Sequence, residues 1–330
     1  MNHYGLVQHN FLPYLCNRNI NFTIMNIKFL MALMILPITF ASCSSGSGDE
    51  PTPDPDPQPP VVVKKAIKIS TNVNNITRAT DTGFDANDQA GLFVVNRGDG
   101  NTSVELKASG NHVNNMRFTY NGTWTPDSPI YWKDNDTHAD FYFYFPYKSS
   151  IDDVAAVPFN VNEDQSSESK YKAGELLVGS KKDVSPTENN VNISVSHVFS
   201  QIQIVVAAGN GFTTESLAAA NVGVTINGVK TSASVNIANA AVSATGDAKS
   251  IRPWLIDGIY KALIVPQTVE ETNLITVNVD GRDFNLKKAF TFQGGKSHKF
   301  TVTVSKTSNG VNVDITKWET DDIDNGGVAE

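Results

Sequence analysis

Residues 61–73 read VVVKKAIKISTNV, and the parity of their side chains decides the fold. Val61, Val63, Ile67, Ile69 and Val73 share one parity; Lys64, Lys68, Ser70 and Asn72 share the other. Successive side chains of a strand point to opposite faces, so this period of two predicts a half-buried strand. The alternation returns downstream. Phe141, Phe143 and Phe145 alternate with Tyr142 and Tyr144, and Ile202, Ile204 and Val206 alternate with Gln201 and Gln203. Residues 222–226, 275–279, 300–304 and 311–315 repeat it. Asn121-Gly122, Asn227-Gly228, Asp280-Gly281 and Asn309-Gly310 are expected to be hairpin turns, since Asn, Asp and Gly tolerate positive φ. Only residues 214–221 predict a short helix. Many short strands with turns between them predict an all-β fold of antiparallel sandwiches. The length suits two of them. The polar stretch 185–190 is the expected junction, dividing the folded part into 61–190 and 191–330.

Upstream of Val61 the composition changes. Residues 51–60, PTPDPDPQPP, follow a Ser/Gly-rich start, so 43–60 read as a flexible and then semi-rigid spacer. Before it, Lys28, an apolar run from Phe29 to Phe40 and the small residues Ala41 and Ser42 form the three parts of an export signal at 25–42. Cys43 follows directly, the arrangement of a bacterial lipoprotein whose cysteine becomes the lipidated first residue, although Phe40 stands where leucine is usual. Translation is then expected to start at Met25, leaving 1–24 as a misassigned start or an extension.

Cleavage before Cys43 removes Cys16 and leaves a single cysteine, so neither a disulfide nor a cysteine metal site is expected. It also removes Arg18 and Lys28, taking the formal charge from -8 to -10. An acidic chain without a basic stripe argues against nucleic acid as a partner, and attachment to a membrane would come from the lipid.

The strongest enzyme signatures are missing: no Gly-x-Ser-x-Gly, no His-Glu-x-x-His and no phosphate-binding Gly-Lys-Ser/Thr loop. His112, His138, His197 and His298 lie far apart and are expected to be structural. Residues 134–140, DNDTHAD, look like a calcium loop but carry Ala139 where an EF-hand needs glycine, so an Asp/Asn-rich turn is expected and no metal site. No cofactor is expected. Trp124, Tyr131, Trp132, Tyr142 and Tyr144 concentrate the aromatics of the first half. Exposed, they would make a sugar platform and a surface glycan-binding lipoprotein; in strands they would be core.

Seven stretches together resemble one family. They are ITRAT (76–80), DQAGLFV (88–94), GELLV (174–178), HVFSQIQI (197–204), ALIVPQ (262–267), FQGGK (292–296) and ITKW (315–318). In this order, after a lipoprotein signal and a proline spacer, the chain resembles the fimbrillins of Bacteroidales, subunits and accessory proteins of type V pili, and their Mfa-like branch in particular. The resemblance implies two transthyretin-like sandwich domains and export to the outer membrane on the Cys43 lipid. It implies an arginine-specific protease cutting after the first strand, here at Arg78. It also implies other fimbrillin-like subunits as partners and a host or bacterial surface ligand for an adhesin. Residues 61–76 would be the removable strand, with Val63, Ile67, Ile69 and Val73 in the groove that a neighbour's strand then fills. The opened edge is what favours such addition. Val311, Val313 and Ile315 would be the donor strand, unless the chain accepts a strand and offers none. The tail after Trp318 is acidic and expected to be solvated.

Overall fold

The computed structural model describes residues 64–74, 83–306 and the backbone of 327–329. Val63, the spacer and signal with Cys43, Arg78, and Val311, Val313 and Ile315 lie outside the described residues. The first strands are β1 (Lys68–Val73), β2 (Gln89–Asn96), β3 (Val113–Tyr120), β4 (Trp124–Pro126), β5 (Ala139–Phe145) and β6 (Val157–Asn160). Helix α1 (Glu168–Lys172) precedes β7 (Leu177–Val184), β8 (Asn190–His197) and β9 (Ser200–Ala208). Helix α2 (Thr214–Ala219) leads into β10 (Val222–Val235), β11 (Val242–Ile251), β12 (Trp254–Ile256) and β13 (Ile259–Ile264). The chain continues through β14 (Gln267–Val279), β15 (Arg282–Phe292), β16 (Ser297–Val304) and β17 (Gly327–Ala329).

Among the described residues the strands form three sheets. The first has the order β1-β8-β7-β5-β2-β3-β4; the second is β11-β10-β14-β15 with β6 also on β10; the third is β12-β13-β9-β16-β17. One face of the first sheet encloses its own core of Ile67, Ile69, Leu92, Val94, Phe118, Trp124, Phe141, Phe143, Ile193 and neighbours. Its other face sends Phe93, Val95, Tyr142, Tyr144 and Val178 into the larger core that the second and third sheets share. The alternation at 141–145 therefore marks a strand buried on both faces rather than a half-buried one. Tyrosine is tolerated there because the Tyr144 hydroxyl reaches Asn115 Oδ1 at 2.6 Å.

Three expectations are corrected, and one further pairing lies in the tail. The pairing is mixed: β1–β8, β9–β16 and β16–β17 are parallel, which the side-chain period cannot reveal. Asn227-Gly228 is a bulge inside β10, with Gly228 at φ 71°, and Asn227 Nδ2 bonds the carbonyl of Asn273 at 3.0 Å. A bulge uses positive φ as readily as a turn does. Helix α1 was not expected; its Ser167 cap and one buried residue, Tyr171, fit in a single turn and leave no helical period to see. Gly327–Ala329 in the acidic tail pairs with β16. By contrast Asp280-Gly281, at φ 50° and 89°, does join β14 to β15, and α2 falls inside the predicted stretch.

Beyond the polar stretch 185–190, β8 still belongs to the first sheet, because Val191, Ile193 and Val195 fill its core. The chain passes to the third sheet at Ser200.

Candidate functional site

The first strand lies where the two ends of the first sheet come together. On one side β1 pairs in parallel with β8, from Lys68 opposite Asn190 to Val73 opposite Val195. On the other it meets the segment after β4: Ile67 N–H donates to the Ile130 carbonyl at 2.9 Å, and Trp132 N–H donates to the Lys65 carbonyl at 3.0 Å. Higher up that seam the backbones no longer pair. A side chain closes it instead, with Trp124 Nε1–H donating to Thr71 Oγ1 at 2.9 Å.

Of the predicted groove residues, Ile67, Ile69 and Val73 are described and lie in one core. Ile67 and Ile69 are each 4% exposed, and Val73 packs half-buried against the same core. Burial of Ile67 and Ile69 is worth roughly 1.5–3 kcal/mol each. Lys68 and Asn72, on the opposite parity, are exposed.

Phe84 covers the end of this groove. Its ring lies 4.8 Å from Trp124, 5.3 Å from Phe145 and 5.7 Å from Tyr120. The turn behind it is held by Asp85 N–H donating to Asp88 Oδ2 at 2.8 Å and Asn87 N–H donating to the Tyr120 carbonyl at 2.8 Å. Burial pushes the Asp88 carboxyl up, against that Asp85 hydrogen bond. Val73, at the end of β1, and Gly83, before Phe84, border one cleft of about 450 Å³ with Ile69, Thr71, Tyr120 and Trp124. Thr71 and Phe84 escaped the sequence reading, which placed Trp124 in an aromatic cluster rather than at this groove. A lone phenylalanine in the polar run DTGFDAND was the available signal.

The aromatic platform is overturned. Trp124 and Trp132 are 7% and 3% exposed, and Trp132 Nε1–H donates to the Thr187 carbonyl at 3.0 Å. Tyr131 is exposed, but its buried neighbours offer no second ring to a sugar.

The histidines have separate partners: Tyr131 O for His112, Asp183 for His138, Glu175 for His197 and Gln293 N–H for His298. His138 and then Arg97 hold the Asp183 carboxyl below its ordinary value, at a bulge where Asp183 N–H also donates to buried Asp140 at 2.8 Å. In 134–140, Asp134 caps its own turn, accepting from Thr137 Oγ1 at 2.6 Å and Asp136 N–H at 2.9 Å. The Thr137 hydroxyl, then backbone N–H groups, take its pKa from 3.8 down to about 2. A depressed carboxyl stabilises the fold above pH 3.8 and loses that effect as pH falls through about 2. Carboxyl NMR titration is therefore expected to give a midpoint near 2 for Asp134, moving toward 3.8 in Thr137→Val. A midpoint of 3.8 in the parent chain would refute the cap.

A fimbrillin-like family model matches residues 77–318. The proposed fimbrium tip subunit Fim1C of Bacteroides ovatus is 29% identical over 133 residues, covering 36% of this chain and 23% of that protein. The proposed fimbrium subunit Fim1C of Bacteroides uniformis is 24% identical over 275 residues, covering 78% of this chain and 86% of that protein. Two crystal structures of proposed cell adhesion proteins share the fold. One from Bacteroides uniformis has TM-score 0.56 at 20% identity, over 75% of this chain and 95% of that one. One from Bacteroides ovatus has TM-score 0.59 at 16% identity, over 73% and 92%.

Proposed function

We propose, because this chain belongs to the fimbrillin-like family, that it is a structural or adhesive subunit of a cell-surface pilus rather than an enzyme. The observation that carries this reading is the seat of β1. The strand is held by one parallel ladder, two backbone bonds and its buried side chains. It can therefore leave without breaking the chain path of the strands behind it. Its departure would bare the β8 edge and the sites of Ile67 and Ile69, the surface that another strand needs. The family match begins at 77, beyond β1 and beside Arg78, which supports a boundary there.

In this proposal Cys43 carries the precursor to the outer membrane on a lipid, and an arginine-specific protease cuts at Arg78. Another fimbrillin-like subunit then supplies the missing strand, and residues 311–315 are this chain's own donor. The division into two transthyretin-like domains belongs to the same proposal. The test is digestion of the purified precursor with an arginine-specific protease. The parent chain is expected to lose everything up to Arg78 and form higher oligomers, whereas Arg78→Ala stays intact and monomeric. An uncut, monomeric parent chain under conditions that polymerise its relatives would sink the assembly reading.

A further inference from the structure

The groove around β1 distinguishes among strands by a polar contact as well as by shape. Along the inward parity of β1, Ile67 and Ile69 fill the first two places and Val73 the fourth. The third is Thr71, whose Oγ1 accepts from Trp124 Nε1–H at 2.9 Å. An indole N–H can donate and cannot accept. Trp124 is 7% exposed, and Phe84 at 4.8 Å, Tyr120 at 5.1 Å and Phe143 at 5.2 Å pack around its ring. Valine would match threonine in volume but leave the indole N–H without its acceptor at this half-buried position, which costs part of the donor's desolvation.

We infer that Trp124 makes the third inward place of the groove selective for an acceptor side chain. A strand entering in the direction of β1 must then read apolar-x-apolar-x-Ser/Thr-x-apolar. This deepens the strand-exchange reading above and rests on it. It also bears on which partner fits. Taken in the same direction, residues 311–317 of a second copy put Ile315 against Trp124 and Lys317 in the place of Val73. Shifted by two residues, they put Lys317 against Trp124. Neither register offers an acceptor, so residues 311–317 of a second copy are not the occupant; once β1 has been cut away from every copy, the strand comes from a different subunit, with a hydroxyl third in its apolar row.

Two arms test this. In the full-length chain, hydrogen exchange of the Trp124 indole N–H and the urea midpoint are compared for the parent, Thr71→Val and Thr71→Ser. Thr71→Val is expected to exchange about tenfold faster with a lowered midpoint, and Thr71→Ser to restore both. In the second arm the chain is cut with an arginine-specific protease in the presence of synthetic peptides. These are AIKISTNVN (66–74), the same peptide carrying Thr71→Val, and GVNVDITKW (310–318). Uptake of the first is expected to exceed that of the other two by about tenfold. Uptake of none would overturn strand exchange and leave the full-length arm to decide the Trp124 contact. Equal uptake of the Thr and Val peptides, or unchanged indole exchange in Thr71→Val, would overturn the selectivity. Equal uptake of GVNVDITKW would overturn the choice of a different subunit.

Discussion

Ile69→Asp is expected to release β1 from the fold while the second and third sheets stay folded. Ile69 is 4% exposed and packs in the first core, opposite Val191 on β8. The substitution removes a buried aliphatic side chain, a change that costs about 2–5 kcal/mol when made to alanine. It also places a carboxylate in a core whose side-chain donors, the Trp124 and Trp132 indole N–H groups, already serve Thr71 and the Thr187 carbonyl. Together these are expected to exceed about 4 kcal/mol. Exposure of β1 relieves the carboxylate at once, so local release is the cheaper response. Amide hydrogen exchange reads this directly. Protection at Lys68–Val73 and along β8 is expected to collapse, with β14 and β15 unchanged. Unaltered protection of β1 would mean that the groove does not hold it through Ile69.

Gly179→Val is expected to have a comparable effect by another route. Gly179 on β7 lies opposite Val195 on β8, in the strand pair that supports β1. A Cβ at this position would overlap the Ser194 carbonyl oxygen and stand 2.9 Å from the Val195 Cα. Both obstacles are backbone, so no rotamer change relieves them. The strands must separate, and the cost is expected at the upper end of overpacking, about 3 kcal/mol or more. The measurement is urea unfolding followed by both tryptophan fluorescence and far-ultraviolet circular dichroism. A lower midpoint by both is expected, with early loss of β8 protection. A midpoint equal to that of the parent would show that β7 and β8 can part without loss.

The sequence revealed the groove better than the device that closes it. Ile67, Ile69 and Val73 were legible because a strand buried on one face has to alternate. Trp124 and Trp132 were equally visible as residues, yet composition does not say which way a ring faces. Their burial follows from the path of β1 across the end of the sheet, a long-range fact with no local signature. The same limit explains the parallel pairs, which share the period of antiparallel ones. The Asn227-Gly228 bulge shows a third case: the local preference for positive φ was satisfied, but inside a long strand that continues to Val235.

Val73 and Gly83, bordering one cleft, give β1 the standing of a ligand that the protein carries on a leash. A segment joined to its site by a short link experiences an effective concentration on the order of millimolar. Any cut in that link replaces this with the bulk concentration of the freed piece. At about micromolar dilution the difference is about a thousandfold in occupancy, or roughly 4 kcal/mol. The groove need not change at all for its occupant to become exchangeable; loss of the tether is sufficient.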